Sequence, residues 1–222
     1  MFTLSAVPVK FVALLILFAF TTVFETYRVV RATNGTQRTS HLLHLVMSVI
    51  MLLMVPKSWW VPFRNVVPVP VSIFLMVLGV LWFGYLAVTA KPGHRAHPTG
   101  CALMFAAMVW HLAAMMVKMH NMADMQHGSN QMGGMNHGSM GGMQPQMASG
   151  GHGTLWWMAV LGLPLMAYLL YASVRALALA VAFRQPAARL SSLSDFAMNF
   201  GMFWMSTGLL VPVLPFFSHL AF

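Results

Sequence analysis

The chain has 222 residues, of which 59% are hydrophobic and 7% charged, and it carries a formal net charge of +9. Soluble domains hold about a quarter charged residues, so this composition excludes a soluble globular domain and makes the chain a multi-pass membrane protein. Its basic residues fall in short connections rather than in a basic, aromatic-interleaved domain, which argues for the lipid bilayer and against nucleic acid as the partner.

Apolar runs of spanning length begin near Val7, His41, Pro68, Cys101, Thr154 and Phe196. Each approaches the ~20 residues that an α-helix needs to cross the hydrocarbon. The sequence therefore predicts an all-α integral membrane bundle of six transmembrane helices. Helices one to four occupy 1–118, a Met/His-rich loop occupies 119–153, and helices five and six occupy 154–222. The first run is led by Lys10 alone, and no small-x-small pattern precedes the cationic cluster after it, so it is expected to be retained rather than cleaved. Arg28, Arg31 and Arg38 follow the first run, Lys91 and Arg95 the third, and Arg184 and Arg189 the fifth. The positive-inside rule puts those loops in the cytoplasm and both termini and the 119–153 loop outside, with Lys10, Lys57, Arg64 and Lys118 as exceptions. A bacterial plasma membrane is the expected location.

Glu25 is expected to pair with Arg28 or Arg31 one turn on. The second run carries His41, His44, Met47, Met51 and Met54, the last four on a narrow face with His41 at its edge, and closes on Trp59-Trp60. That pair, with Trp156-Trp157 at the start of the fifth run, reads as an anchor at the outer headgroup boundary. Val67-Pro68-Val-Pro70 opens the third helix, where a proline removes no helical hydrogen bond. The segment Lys91-Pro-Gly-His94-Arg-Ala-His97-Pro reads as a turn-rich loop whose two histidines could receive a metal, although an incidental pair beside two cations is the simpler explanation. Cys101, the single cysteine, excludes a disulfide framework and any Cys-x-x-Cys site. It reads as a buried structural thiol, with a copper exit ligand as the alternative. Pro164, Pro212 and Pro215 are expected to kink the last two helices, and Arg184 to Asp195 to form a connection capped by Ser194 or Asp195.

The fourth run is the most informative. Met104, Met108, His111, Met115, Met119 and Met122 are spaced by four, three, four, four and three. At 3.6 residues per turn they share an arc of about 80° over a length of about 27 Å. His111 stands near mid-membrane, where an ionisable side chain marks a functional candidate unless a neighbouring helix satisfies it. Met198, Met202 and Met205 repeat the spacing on the sixth run, where packing is the simpler explanation.

Beyond this stripe the chain becomes a comb of Met119, His120, Met122, Met125, His127, Met132, Met135, His137, Met140, Met143, Met147 and His152. It holds one acid, Asp124, and no aromatic residue. Met125-Gln-His127-Gly-Ser is echoed by Met135-Asn-His137-Gly-Ser, and Met132-Gly-Gly-Met135 by Met140-Gly-Gly-Met143. Thioethers in a Gly/Ser/Asn/Gln-rich segment have no core to pack, whereas thioether and imidazole together select Cu(I), or Ag(I) in its place, over cations that prefer oxygen. Repeat slippage and sacrificial oxidation are the competing explanations.

The helix Met104-Phe-Ala-Ala-Met-Val-Trp-His111-Leu-Ala-Ala-Met115, followed by a His/Met-rich segment, resembles small actinobacterial integral membrane proteins of an uncharacterised, domain-of-unknown-function class. The resemblance implies a six-helix fold and a copper link, and supplies no activity or catalytic residues.

The reading that uses most of these features is a copper(I)-handling membrane protein. The comb captures the ion, and Met108, His111, Met115 and Met119, with His44, Met47 and Met51 facing them, hold or relay it. A copper-dependent oxidase or a copper chaperone is the expected partner, and import, export and delivery fit equally. No phosphate-binding loop or phosphorylatable aspartate motif is present, and Glu25, Asp124 and Asp195 are the only acids, so movement is expected to be passive. A copper-dependent membrane oxidoreductase built on His111 and His44 is the less favoured alternative, because those residues are expected at different depths. A non-catalytic accessory subunit of a respiratory or envelope complex is another.

Overall fold

A computed structural model describes residues 8–91, 93–130 and 152–210. Among these residues the chain is entirely helical. In order the helices are α1 (Pro8–Arg31), α2 (Gly35–Met54), α3 (Lys57–Val66), α4 (Val69–Thr89), α5 (Ala96–Asn130), α6 (His152–Ala182) and α7 (Pro186–Ser206), which tightens into a 3₁₀ turn, Thr207–Leu209. Met132, Met135, His137, Met140, Met143 and Met147 of the comb, and Pro212 and Pro215, lie outside the described residues.

Among the described residues four helices are long and apolar enough to cross a membrane: α1, α4, α5 over Ala96–His120, and α6 over Trp156–Ala182. α2 and α7 have similar lengths, 20 and 21 residues, but are diluted by Arg38, His41, His44 and Ser48 in one and by Ser192, Ser194, Asp195 and Asn199 in the other. Apart from Arg38, which is exposed near the start of α2, their position fits this polarity. α1, α4 and α6 turn rows of large apolar side chains outward, such as Ile16 and Val23, Phe74 and Leu81, and Leu161 and Val174. α7 packs against α1, α5 and α6 and buries Met198, Met202 and Met205 with Ser194 and Asn199. The outer helices thus offer the apolar surface that lipid requires, while α7 keeps buried polar groups, of which Asn199 donates to the Asp195 carbonyl and Ser194 Oγ has no partner among the described residues.

Proline sets several helix starts. Pro68 precedes α4 with Pro70 in its first turn, as the sequence suggested. Pro186 opens α7, with Gln185 in an extended conformation before it. Arg184 to Asp195 is therefore helical from Pro186, and neither Ser194 nor Asp195 caps it: a proline at N1 already has the φ that a helix needs. Gly93, with φ of 96°, permits the turn between α4 and α5. α5 begins just after it, so His97 and Pro98 belong to a helix rather than to a loop.

A second departure from expectation is α3, a ten-residue helix between the second and third runs. It exposes Trp59 but buries Trp60 in the core, so only the first of that pair is free to meet lipid headgroups. Close helix approach falls where small residues meet aromatic rings: Gly162 against Trp110, Gly79 against Phe105, and Gly201 against Phe18. Contacts of this kind hold membrane helices together, since lipid tails compete for every apolar surface. The Trp110 indole also donates to the Met158 carbonyl at 2.8 Å, tying α5 to α6.

The helices alternate in direction. The C-terminal turn of α1, the N-terminal part of α2, the end of α4 and the start of α5 line one cavity with Asp195 of α7. This gathers the Arg-bearing connections at one end of the bundle. The Lys10 ammonium donates to Thr207 Oγ1 at 3.2 Å, which joins the start of α1 to the end of α7 at the other.

Candidate functional site

The methionines form a large part of one continuous core. Met47, Met51 and Met54 of α2, Met76 of α4, Met104 and Met108 of α5, Met166 of α6, and Met198, Met202 and Met205 of α7 belong to a single buried cluster, and Met115 packs against it. The narrow face read from the sequence on α2 points inward, as do that on α5 from Met104 to Met115 and that on α7. Methionine fills irregular space between helices well, so burial alone is equally expected of packing and of ligation.

His111 sits within this core with little of its surface exposed, and its Nδ1 lies 2.7 Å from the Ser206 hydroxyl of α7. That bond satisfies one ring nitrogen and ties α5 to α7. It also has the form in which a metal-bound histidine is oriented, with one nitrogen held by the protein and the other left to the ion. Met108, one turn away, is fully buried.

His44 is elsewhere. Its Nδ1 contacts the Ser40 carbonyl at 2.9 Å, and its ring packs edge-on against Phe83 and Phe105. Phe105 precedes His111 by six residues on α5, about 9 Å along the helix. The two imidazoles therefore occupy different levels. A catalytic copper held by both has no support here, since such a centre needs its imidazoles at one locus.

At the comb end, Arg64 of α3 donates to the Met119 sulfur at 3.3 Å, so that thioether already has a cationic neighbour. His120 is exposed. α5 continues without interruption to Asn130, carrying the backbone of Met122, Met125 and His127, and His152 is the first residue of α6. Good helix formers such as Met, Ala, Lys and Gln explain how the helix outlasts the apolar run.

The opposite end brings together residues that the sequence reading had considered only singly. Two cavities, of about 460 and 650 Å³, open there and share His44, His97 and Asp195 in their walls. Glu25, almost fully buried, meets Arg28 at 3.3 Å and His41 of α2 at 3.2 Å. The Arg28 contact is the expected one-turn pair. The His41 contact joins two helices and takes that ring away from the methionine face. Cys101 and Met104 line the larger cavity with His97 and His44. The Cys101 sulfur is 3.9 Å from His97 Nδ1. With α5 starting at Ala96, the donor face gains His97 and Cys101 at spacings of four and three before Met104. That continuation was the available signal, obscured by reading His97 as part of a loop.

Among the described residues no three His, Cys, Asp or Glu side chains come together as a metal-binding group. Any metal held inside this bundle must rely on thioether sulfur or on fewer than three such donors.

An all-helical bundle, several of whose helices can cross a bilayer around a methionine-rich interior, defines the class as a polytopic helical membrane protein. Within that class the chain belongs to the DUF5134 family, a domain of unknown function whose model matches residues 36–207. The match takes in α2 through the start of the final 3₁₀ turn and leaves out α1 with Glu25. No curated protein and no solved structure matches the chain.

Proposed function

We propose that this protein handles Cu(I) at a bacterial plasma membrane, capturing it with the comb and holding or passing it along the thioether face of α5. In this reading all six of the long helices span the bilayer, the Arg-bearing connections are cytoplasmic, and both termini and the comb face outward. The observation that carries the proposal is the continuity of α5. One helix bears Met104, Met108, His111 and Met115 within the core and runs on to Asn130, into the first Met-x-His unit of the comb. Sulfur and imidazole donors then follow one another from the comb into the bundle.

Ligand exchange between neighbouring donors is the mechanism. A site of two or three soft ligands binds Cu(I) selectively and still releases it, as movement between sites requires. His111, with one nitrogen held by Ser206, has the other to offer, with Met108 one helical turn away. Capture, storage and delivery to a copper-dependent oxidase or a copper chaperone all use the same equipment.

The test is a Cu(I) titration of the purified full chain against a competing chelator, beside a variant in which the Met and His residues of 122–152 are replaced by Ser. The proposal expects several ions on the parent, most of them lost in the variant, and no comparable binding of Zn(II). A parent chain that binds no Cu(I) overturns it. A reporter fused after Ser149 should read as extracytoplasmic and one inserted near Gly93 as cytoplasmic; the reverse would put capture on the wrong side.

A further inference from the structure

We infer that the donor face of α5 ends in a second, inner Cu(I) site, formed by His97, Cys101 and Met104 where they line the larger cavity. The inference rests on the copper reading above and adds to it a defined place where the ion meets the Arg-rich end of the bundle.

Three features converge. First, His97, Cys101 and Met104 are spaced by four and three on one helix, the arrangement that puts side chains on a single face and lets residues at i and i+4 share a metal. Second, His97 Nδ1 and the Cys101 sulfur are 3.9 Å apart. With zinc as a ruler, a metal–sulfur bond of about 2.3 Å and a metal–nitrogen bond of about 2.0 Å together reach about 4.3 Å. That is the limit for a linear arrangement; at the observed separation an ion bonded to both donors subtends about 130°, between tetrahedral and linear, so the pair is already spaced to share it. Third, all three side chains border one cavity; His44 lies on its wall as well, with Nδ1 engaged by the Ser40 carbonyl, but forms no three-member donor group with His97 and Cys101.

The donor chemistry selects the ion. A thiolate with a thioether and an imidazole is a soft set, suited to Cu(I) at low coordination number. It lacks the closed four-ligand shell of a structural zinc site, in keeping with the absence of a three-member His/Cys/Asp/Glu group among the described residues. On binding, the Cys101 S–H bond is replaced by a copper–sulfur bond. The thiol proton leaves through the cavity to water, so Cu(I) enters and a proton departs with no change in net charge and no redox step. That balance matters at a buried thiol, where an added uncompensated charge is costly. Glu25 and Arg28 line the adjoining cavity, Arg95 and Arg175 border the larger one, and Asp195 lines both.

Because Cys101 is the single cysteine, a maleimide reports on this site alone. The experiment compares alkylation of the purified full chain with and without chelator-buffered Cu(I), and counts copper per chain in parallel. Bound Cu(I) should slow alkylation at least about tenfold, since the thiolate lone pair is engaged. His97→Gln and Met104→Leu should each remove most of that protection, and Cys101→Ser should lower the count by one ion while the comb stays loaded. An unchanged count in Cys101→Ser, or equal protection in the parent and His97→Gln, overturns the inner site. If the parent loads copper yet Cys101 stays unprotected, this inference falls and the copper reading stands. If the parent loads none, both fall.

Discussion

Along α5 the two ends of one donor face sit in contrasting surroundings. Toward the comb, Met108 and His111 lie in the core that holds the buried methionines of α2 and α7, and His111 bonds the Ser206 hydroxyl. Toward the Arg-rich end, His97 and Cys101 border cavities whose walls include Glu25, Arg28 and Asp195. The first region is close-packed and rich in thioethers, with the buried Lys10 ammonium bonded to Thr207 beside Ser206; the second is hollow and lined by charged groups. A thioether is neutral and keeps its donor power without desolvating a charge, so it suits the first region. A thiol must lose a proton to become a strong donor, which requires the route to water that only the second region has.

Glycine packing gives the largest expected effect, and it tests whether the two regions share one framework. Gly162 lies against Trp110 on the comb side of His44, and Gly79 against Phe105 beneath the cavities. Gly162→Leu and Gly79→Leu should each lower stability by about 3 kcal/mol or prevent folding, because overpacked cores must displace rigid rings. Gly84→Ala, where an added Cβ meets nothing within 4 Å, should stay within about 0.5 kcal/mol of the parent. Thermal unfolding in detergent measures all three. A tolerated Gly162→Leu would mean that α5 and α6 are not in tight contact.

Next in size is the charged contact at the cavity end. Glu25→Leu strips Arg28 and His41 of their common partner and should destabilise the bundle by about 1–3 kcal/mol, less than for a sealed ion pair because Arg28 is partly exposed. Copper per chain should not change. A loss of copper with intact stability would instead make Glu25 part of the metal route and erase the contrast between the two regions.

Ser206→Ala acts on the close-packed region and is smaller in stability, about 1 kcal/mol for one buried hydrogen bond. Its effect on metal should be larger. If Ser206 orients His111 as a ligand, affinity at the intramembrane site falls about 10–100-fold. Met202→Leu, a nearly volume-conserving change at a fully buried position, should cost under about 1.5 kcal/mol. Chelator competition and thermal unfolding on the same preparations separate the two readouts.

Much of the close-packed region was legible in the sequence because it rests on helical periodicity. Met104, Met108, His111 and Met115 can be placed on one face by counting, and the structure buries that face. Glu25 with Arg28 was legible for the same reason, being one turn apart. What was not legible depends on contacts between distant segments. Ser206 as the partner of His111, His41 turned to Glu25, and the cavities shared by α1, α2, α5 and α7 have no local signature. α3 was missed because its ten residues lie between two apolar runs and read as a boundary. The helical state of His97 was hidden by Pro92, Gly93 and Pro98, which mark turns in isolation although Pro98 fits a helix's first turn.

The central claim, that the thioether face holds metal inside the bundle, is tested most directly by copper content in a chain whose comb residues, the Met and His of 122–152, are replaced by Ser. The account predicts that this chain retains bound Cu(I), and that adding His111→Leu removes one ion while leaving the bundle folded, since Leu suits an apolar helix face. Equal copper in the two chains, with only stability altered, would contradict it and leave His111 as a hydrogen bond between helices.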